Sequence, residues 1–228
     1  MPHLLIFGST GTLGGATLAK FRHEGWDATC GVRKVVNECD VQLPFTKESL
    51  PSGLAGKTFD AVVFAQGANV NGSVLQSNSD DMAALFEANV TMIAETVVVL
   101  MHHNLINKGG RVVIISSLWE QFTRQEKFAY SVTKAAVGGL VRSLAVDLGR
   151  ANGILVNGIL PGIVNSPMVA RTLTPEQIAN VRNQTPGGEL ATPEDVANSI
   201  YLLGCEANTG ISGQSIFVDR GFSIARTI

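Results

Sequence analysis

Cysteine is scarce in this 228-residue chain: Cys30, Cys39 and Cys205 are the three present. Three thiols cannot all pair and their separations match no metal-ligand spacing, so they read as reduced packing residues of a cytosolic, cytoplasmic protein. An excess of either charge is also missing. Seventeen Lys and Arg (17) against 19 Asp and Glu leave a formal charge of -2, which argues against a nucleic-acid surface or another strongly charged partner. Uninterrupted apolar runs, such as Val97 to Met101, fall far short of the ~18 to 20 residues that span a bilayer, so no membrane partner is expected. A secretory pattern is absent, because the chain enters an apolar strand and a glycine turn almost at once.

What remains is ordinary for one domain with a substantial core: 45% hydrophobic residues, 24 glycines, and no linker, repeat or low-complexity tract. Apolar runs predict strands at 3–7, 27–31, 35–39, 60–65, 111–115, 154–159 and 214–218. Helical patterns fall at about 12–24, 79–107, 129–150 and 193–203, with a shorter one near 175–183. Thr174-Pro175-Glu176-Gln177 and Thr192-Pro193-Glu194-Asp195 each combine a threonine cap, a first-turn proline and acidic residues. Alternating strands and helices predict an α/β, single-domain Rossmann fold over residues 1–228. Its doubly wound parallel sheet of about seven strands would carry helices on both faces.

Two motifs carry chemistry. The first strand runs into Gly8-Ser9-Thr10-Gly11-Thr12-Leu13-Gly14-Gly15 and then a helix. Glycines in such a turn let the backbone approach a pyrophosphate, and the helix N-terminus favours the anion. Thr12 stands where the commonest dinucleotide fingerprint has glycine. Further along, Tyr130 and Lys134 lie four residues apart, on one helix face, with Ser117 at the end of an upstream β-branched run. A cation near a phenol lowers its pKa from about 10 and lets it exchange protons.

In this order the motifs resemble the short-chain dehydrogenase/reductase family along nearly the whole chain. The resemblance rests on the glycine turn, Asp40-Val41, Asn89, Ile114-Ile115-Ser116-Ser117, Tyr130-x-x-x-Lys134, Asn157 to Gly162 and Ser212 to Asp219. It implies a nicotinamide enzyme with Tyr130 as general acid or base and Ser117 bonding the substrate oxygen. Lys134 would hold the nicotinamide ribose and lower the tyrosine pKa, and Asn89 would organise a proton-relaying water. It also implies cofactor contacts from Gly8, Ser9, Thr10, Gly11, Thr12, Leu13 and Gly14, and from Tyr130 and Lys134 themselves. Asp40 and Val41 would border the adenine, Ala65 and Gly67 the adenosine ribose, and Pro161, Gly162, Ile163 and Ser166 the carboxamide.

Cofactor choice turns on the end of the second strand. Thr29 to Lys34 offers no acid for a ribose 2′-hydroxyl, while Arg33 can pair with a 2′-phosphate, so NADP(H) is favoured over NAD(H). The expected activity is interconversion of a ketone or aldehyde and an alcohol. A regulatory or scaffold protein without turnover and an epimerase using transient hydride transfer are the alternatives. Trp119, Glu120, Phe122, Phe128 and a loop region at about 163–192 would bound a small carbonyl or alcohol substrate. Small residues Ala135, Ala136, Gly138 and Gly139 suit subunit packing, and the resemblance implies a homodimer or homotetramer.

The chain also departs from the family pattern. Phe64-Ala65-Gln66-Gly67 replaces an Asn-Asn-Ala-Gly run, the link between strands two and three is too short for a crossover helix, and Asp219-Arg220-Gly221 replaces Asp-Gly-Gly.

Overall fold

The fold follows from how short β-branched runs pair and which faces they bury. A computed structural model describes residues 1–44, 46 and 48–225. Seven parallel strands, β1 (His3–Phe7), β2 (Asp27–Val32), β3 (Asp40–Gln42), β4 (Phe59–Phe64), β5 (Ile106–Ile115), β6 (Leu155–Pro161) and β7 (Ser215–Val218), form one sheet of order β3-β2-β1-β4-β5-β6-β7. Seven α-helices are described: α1 (Thr12–His23), α2 (Ser79–Phe86), α3 (Met92–His102), α4 (Phe128–Asn152), α5 (Pro167–Thr172), α6 (Pro175–Gln184) and α7 (Pro193–Gly204).

Successive strand residues point to opposite faces, and both faces are covered. Leu5, Val62, Phe64, Val112 and Ile114 pack with Val97, Leu100, Val137 and Val141 of α3 and α4. Leu4, Ile6, Val63 and Val113 pack on the other side with Phe21, Val196, Ile200 and Leu203 of α1 and α7. Strand order reverses between β1 and β4, and ligands of open α/β sheets bind at the carboxyl ends of the strands flanking such a switch.

The expected strand at 35–39 is absent. Val36 and Asn37 donate their N–H groups to Asp40 Oδ2 at 2.9 and 2.8 Å, which makes this stretch a turn and delays the strand to Asp40. Val35 and Val36, the apolar residues that pointed to a strand, are exposed. Asp40 and Val41 therefore lie in the third strand rather than after it.

The long central helix ends at His102, not 107, because Asn104 takes a left-handed φ of 52° and turns the chain into β5. Asparagine tolerates that region better than most residues. Ser79–His102 is nonetheless a 24-residue helical run, long and apolar enough by length and composition to cross a bilayer. A search for uninterrupted apolar runs overlooks it. In this fold Leu85, Ile93, Val97 and Leu100 of the run are buried. Both Thr-Pro helix starts form full capping boxes, at Thr174 with Gln177 and at Thr192 with Asp195.

Candidate active site

The glycine turn is shaped by two close backbone approaches. Gly8 has φ +80°, and a Cβ there would sit 2.6 Å from the Gln66 nitrogen at the end of β4. A Cβ on Gly14 would overlap the Gly8 carbonyl. Gly11 donates to Gly8 O at 3.0 Å and begins α1 without a side-chain cap. The first-turn N–H groups are thus left for another acceptor, and a helix start of this kind attracts anions.

Beside the turn lies an open cavity of about 650 Å³ lined by Ser9, Thr10, Leu18, Arg22, Cys30 and Val36 to Asp40. Asp40 belongs to it, but its carboxylate already accepts from Val36, Asn37 and the Asn37 side chain. Desolvation opposes ionisation there, and the N–H groups of Asn37 and Val36 outweigh it, holding the carboxyl below its ordinary value. Val41 is buried next to it, and Arg33 is exposed just past β2. Arg22, on the last turn of α1, is a cation of this cavity that motif reading missed. Its only sequence signal is a position three turns along the helix that the glycine turn begins.

At the centre of the sheet, β5 delivers Ser117 and α4 delivers Tyr130 and Lys134. The Ser117 hydroxyl is placed to favour the Tyr130 phenolate, and Ser117 Oγ accepts from Trp119 N at 3.3 Å. Lys134 is buried and its Nζ donates to the Ile115 carbonyl at 3.2 Å, 5.7 Å from the Tyr130 ring centroid. Burial lowers the Lys134 pKa to about 8, with Glu120 pulling it upward. Burial raises that of Tyr130 while the Ser117 hydroxyl pulls it down. The expectation that Lys134 lowers the tyrosine pKa is thus not met, because desolvation dominates.

Asn89 is buried, and its partners are distant in sequence. Oδ1 accepts from Ala68 N at 2.8 Å, while Nδ2 donates to Ala68 O at 3.0 Å and to Thr133 Oγ1 at 3.1 Å. It sits on a π-helical turn, Glu87–Thr91, between α2 and α3. Such turns recur at functional sites. The same cluster crowds Gly67: a Cβ there would lie 3.0 Å from Asn89 Oδ1 and 3.6 Å from Lys134 Nζ. Ala65 is fixed by its N–H to Phe7 O at 2.9 Å.

Lys127 is the other residue that motif reading missed. It is 6% exposed, its Nζ reaches Asn69 Oδ1 at 3.0 Å and Asn71 Oδ1 at 2.7 Å, and it stands 5.1 Å from the Tyr130 ring. It ties the loop after β4 to the start of the tyrosine helix.

On the β6 side, Gly162 donates to Val218 O at 3.1 Å, and a Cβ on it would press 2.6 Å from that of Asp219. Asp219 in turn accepts from Gly221 N and Ser223 N. Pro161 ends β6, Ile163 follows Gly162, and Ser166 caps α5 through Val169 N.

Trp119, Glu120, Phe122 and Phe128 do come together, around a shallow depression of about 400 Å³ shared with Ser131, Val132 and Ala135. Neither Ser117 nor Tyr130 lines it, so this depression lies on the flank of α4 rather than over those two hydroxyls. Of the small residues on α4, Gly138 makes room inside the chain for the Glu120 carboxylate, whereas Gly139 faces open space.

A family model described as enoyl-(acyl carrier protein) reductase matches residues 19–223. An uncharacterized oxidoreductase of Bacillus subtilis, YmfI, is 27% identical over 84% of this chain and 78% of its own. The 7alpha-hydroxysteroid dehydrogenase of Escherichia coli K12 is 36% identical over 50% of this chain, but the match spans only 45% of that enzyme. The solved structure of ElxO with NADP bound superimposes with a TM-score of 0.81 at 20% identity, covering 97% of this chain and 98% of that one. The chain belongs to the short-chain dehydrogenase/reductase family and is an oxidoreductase acting on CH–OH and C=O groups with NAD(P).

Proposed function

We propose that this protein is an NADP(H)-dependent oxidoreductase that interconverts a ketone or aldehyde and an alcohol. The observation that carries the reading is the convergence of Ser117, Tyr130 and Lys134 at the carboxyl end of β5, on the same edge of the parallel sheet as the glycine turn that follows β1.

The residues present fit a dinucleotide. Gly8 and Gly14 let the turn pack backbone against backbone, where a Cβ would collide with Gln66 and with the Gly8 carbonyl, and the start of α1 lacks a side-chain cap. Ser116 Oγ and Gln66 Oε1 are buried next to the site without a partner. In this reading Gly8 to Gly14 hold the pyrophosphate and the Asp40–Val41 edge meets the adenine. Ala65 and Gly67 border the adenosine ribose, and Pro161, Gly162, Ile163 and Ser166 border the carboxamide. Arg33, with Arg22 nearby, supplies charge for a 2′-phosphate. When bound, the cofactor supplies the hydride.

The side chains do the rest. Ser117 donates to the substrate carbonyl oxygen and holds it beside the Tyr130 hydroxyl. Tyr130 gives its proton as negative charge develops on that oxygen. A raised tyrosine pKa keeps the phenol protonated near neutrality, which suits donation and therefore reduction. Lys134, charged below about pH 8, balances the phenolate left behind. Asn89, held by Ala68 and Thr133, keeps the inner end of this cluster fixed. The segment 163–192 forms the substrate side of the single domain, and a homodimer or homotetramer in the cytoplasm is the expected state.

The test is titration of the purified protein with NADPH and NADH by fluorescence. Consumption is then followed at the nicotinamide absorbance with ketones, aldehydes and quinones. NADPH-preferring binding with consumption supports the reading, and binding without consumption favours a regulatory protein or an epimerase. Failure to bind either cofactor ends the proposal.

A further inference from the structure

The expectation that the cysteines are inert packing residues does not account for two of them. Cys30, on β2, and Cys39, immediately before β3, face each other with their sulfurs 3.8 Å apart, and both line the 650 Å³ cavity beside the glycine turn. Cys30 N donates to Cys39 O at 2.8 Å, so the two chains run side by side here. Cys39 directly precedes Asp40, the register partner of Cys30 across β2 and β3, and sulfurs this close need only a small movement to reach disulfide geometry. The environments of the two sulfurs differ. Cys39 is partly exposed and Arg22 Nη2 lies 3.3 Å from its sulfur. Cys30 is buried, and burial chiefly raises its pKa, to about 11, although Ser9 bonds to it. Asp40 Oδ1 also lies 3.8 Å from the Cys39 sulfur and offsets part of the Arg22 charge, but accessibility favours reaction, and Cys39, partly exposed where Cys30 is buried, is the sulfur placed to react first.

We propose that Cys30 and Cys39 form an oxidisable dithiol whose disulfide reshapes the adenosine end of the cofactor cavity and weakens cofactor binding. The second half rests on the cofactor reading above. With hydrogen peroxide, the simplest hydroperoxide, as oxidant, the Cys39 sulfur attacks one peroxide oxygen. An S–O bond forms, the O–O bond breaks, and the departing oxygen leaves as water with the thiol proton. The Cys30 sulfur then attacks that of Cys39, forming the S–S bond and releasing the oxygen as a second water with the Cys30 proton. Two thiols lose two electrons and one hydroperoxide gains them. Closing from 3.8 Å to the roughly 2.05 Å of a disulfide draws residues 36–40 toward β2. Asp40, whose carboxylate anchors that turn, moves with them. A divalent metal held by Cys30, Cys39 and Asp40, whose donor atoms lie within 4.8 Å of one another, is disfavoured by the adjacent Arg22 cation and by the three hydrogen bonds already on the carboxylate.

The experiment oxidises the reduced full-length protein with hydrogen peroxide, alkylates free thiols and maps the peptides by mass spectrometry. NADP⁺ and NAD⁺ affinities are measured before oxidation, after it and after re-reduction with dithiothreitol. A Cys30–Cys39 linked peptide is expected, with the buried Cys205 still alkylatable after denaturation as the internal control. Affinity for the preferred dinucleotide should fall about tenfold, within the usual range of coupling between sites, and recover on reduction. By reciprocity that dinucleotide raises the midpoint potential of the pair by about 30 mV. In Cys39→Ser, peroxide should leave affinity unchanged. Absence of the linked peptide, unchanged affinity in the linked protein, the same weakening in Cys39→Ser, or one zinc per chain shielding both thiols overturns the proposal. If the reduced protein binds neither dinucleotide, the cofactor reading and the coupling both fall, while the linked peptide alone decides the dithiol.

Discussion

Lys134 Nζ donates to the carbonyl of Ile115 at 3.2 Å, which pins the lysine of the Tyr-x-x-x-Lys helix to the last residue of β5. The bond explains how a fully buried ammonium is held close to Tyr130, and its cost is visible in the pKa of about 8. A base with a folded pKa below its unfolded value of about 10.5 binds fewer protons when folded. Stability therefore rises with pH between about 8 and 10.5, and below 8 the protein carries the whole penalty. Lys134→Met should stabilise the unliganded protein by about 1 to 3 kcal/mol at pH 7 while abolishing turnover. Urea unfolding of both proteins checks this: the gap should narrow as pH rises from 8 to 10, and a constant gap contradicts it.

Tyr130→Phe removes the proton donor but keeps the ring. Turnover should fall by about 10² to 10⁴-fold, the usual contribution of a positioned acid or base, with cofactor affinity nearly unchanged. Wild-type turnover in this variant rules out Tyr130 as the acid.

Arg33→Ala should weaken NADPH binding more than NADH binding, since a 2′-phosphate is the group a guanidinium holds at this strand end. Arg22→Ala should act in the same direction, because Arg22 lines the cavity beside the glycine turn. Paired fluorescence titrations decide it: equal losses for both cofactors remove the reason for preferring NADP(H).

The sheet was legible because the buried strands are short continuous β-branched runs, as in β4 and the second half of β5, and the Thr-Pro helix starts were legible because capping is a local event. The turn at 36–39 was not, because what bends it is one carboxylate, Asp40, taking two backbone N–H groups, and valines on either reading look alike. Lys127 and Arg22 were missed for a different reason. Each is an ordinary basic residue in sequence, and only the meeting of the loop after β4 with α4, or of α1 with the β2–β3 link, gives it a partner. The Cys30–Cys39 pair has the same origin: adjacency across two strands leaves no mark on a spacing of nine.

Arg220, where the family usually has glycine, illustrates how such a departure is accommodated. Its φ of 54° lies in the left-handed region, which disfavours a side chain and favours glycine. Against that, Nε and Nη2 reach Asp195 Oδ2 at 3.0 and 2.9 Å, and the same oxygen accepts from Thr192 N in the capping box of α7. The arginine thus ties the turn after β7 to the start of α7. Asp195 feels desolvation upward, but the Thr192 N–H and Arg220 hold its carboxyl below the ordinary value, so any stability from this cluster is lost as pH falls through that lowered pKa. The pair is partly exposed, at 42% and 33% of the two side chains, and exposed ion pairs contribute only about 0 to 1 kcal/mol. Relief of backbone strain by glycine is of similar size. Arg220→Gly should therefore change stability at pH 7 by less than about 1 kcal/mol, whereas Arg220→Ala, which keeps the strain and loses the ion pair, should be the less stable of the two. Chemical denaturation of the three proteins tests this, and an alanine variant as stable as the glycine one would show that the left-handed backbone carries no cost here.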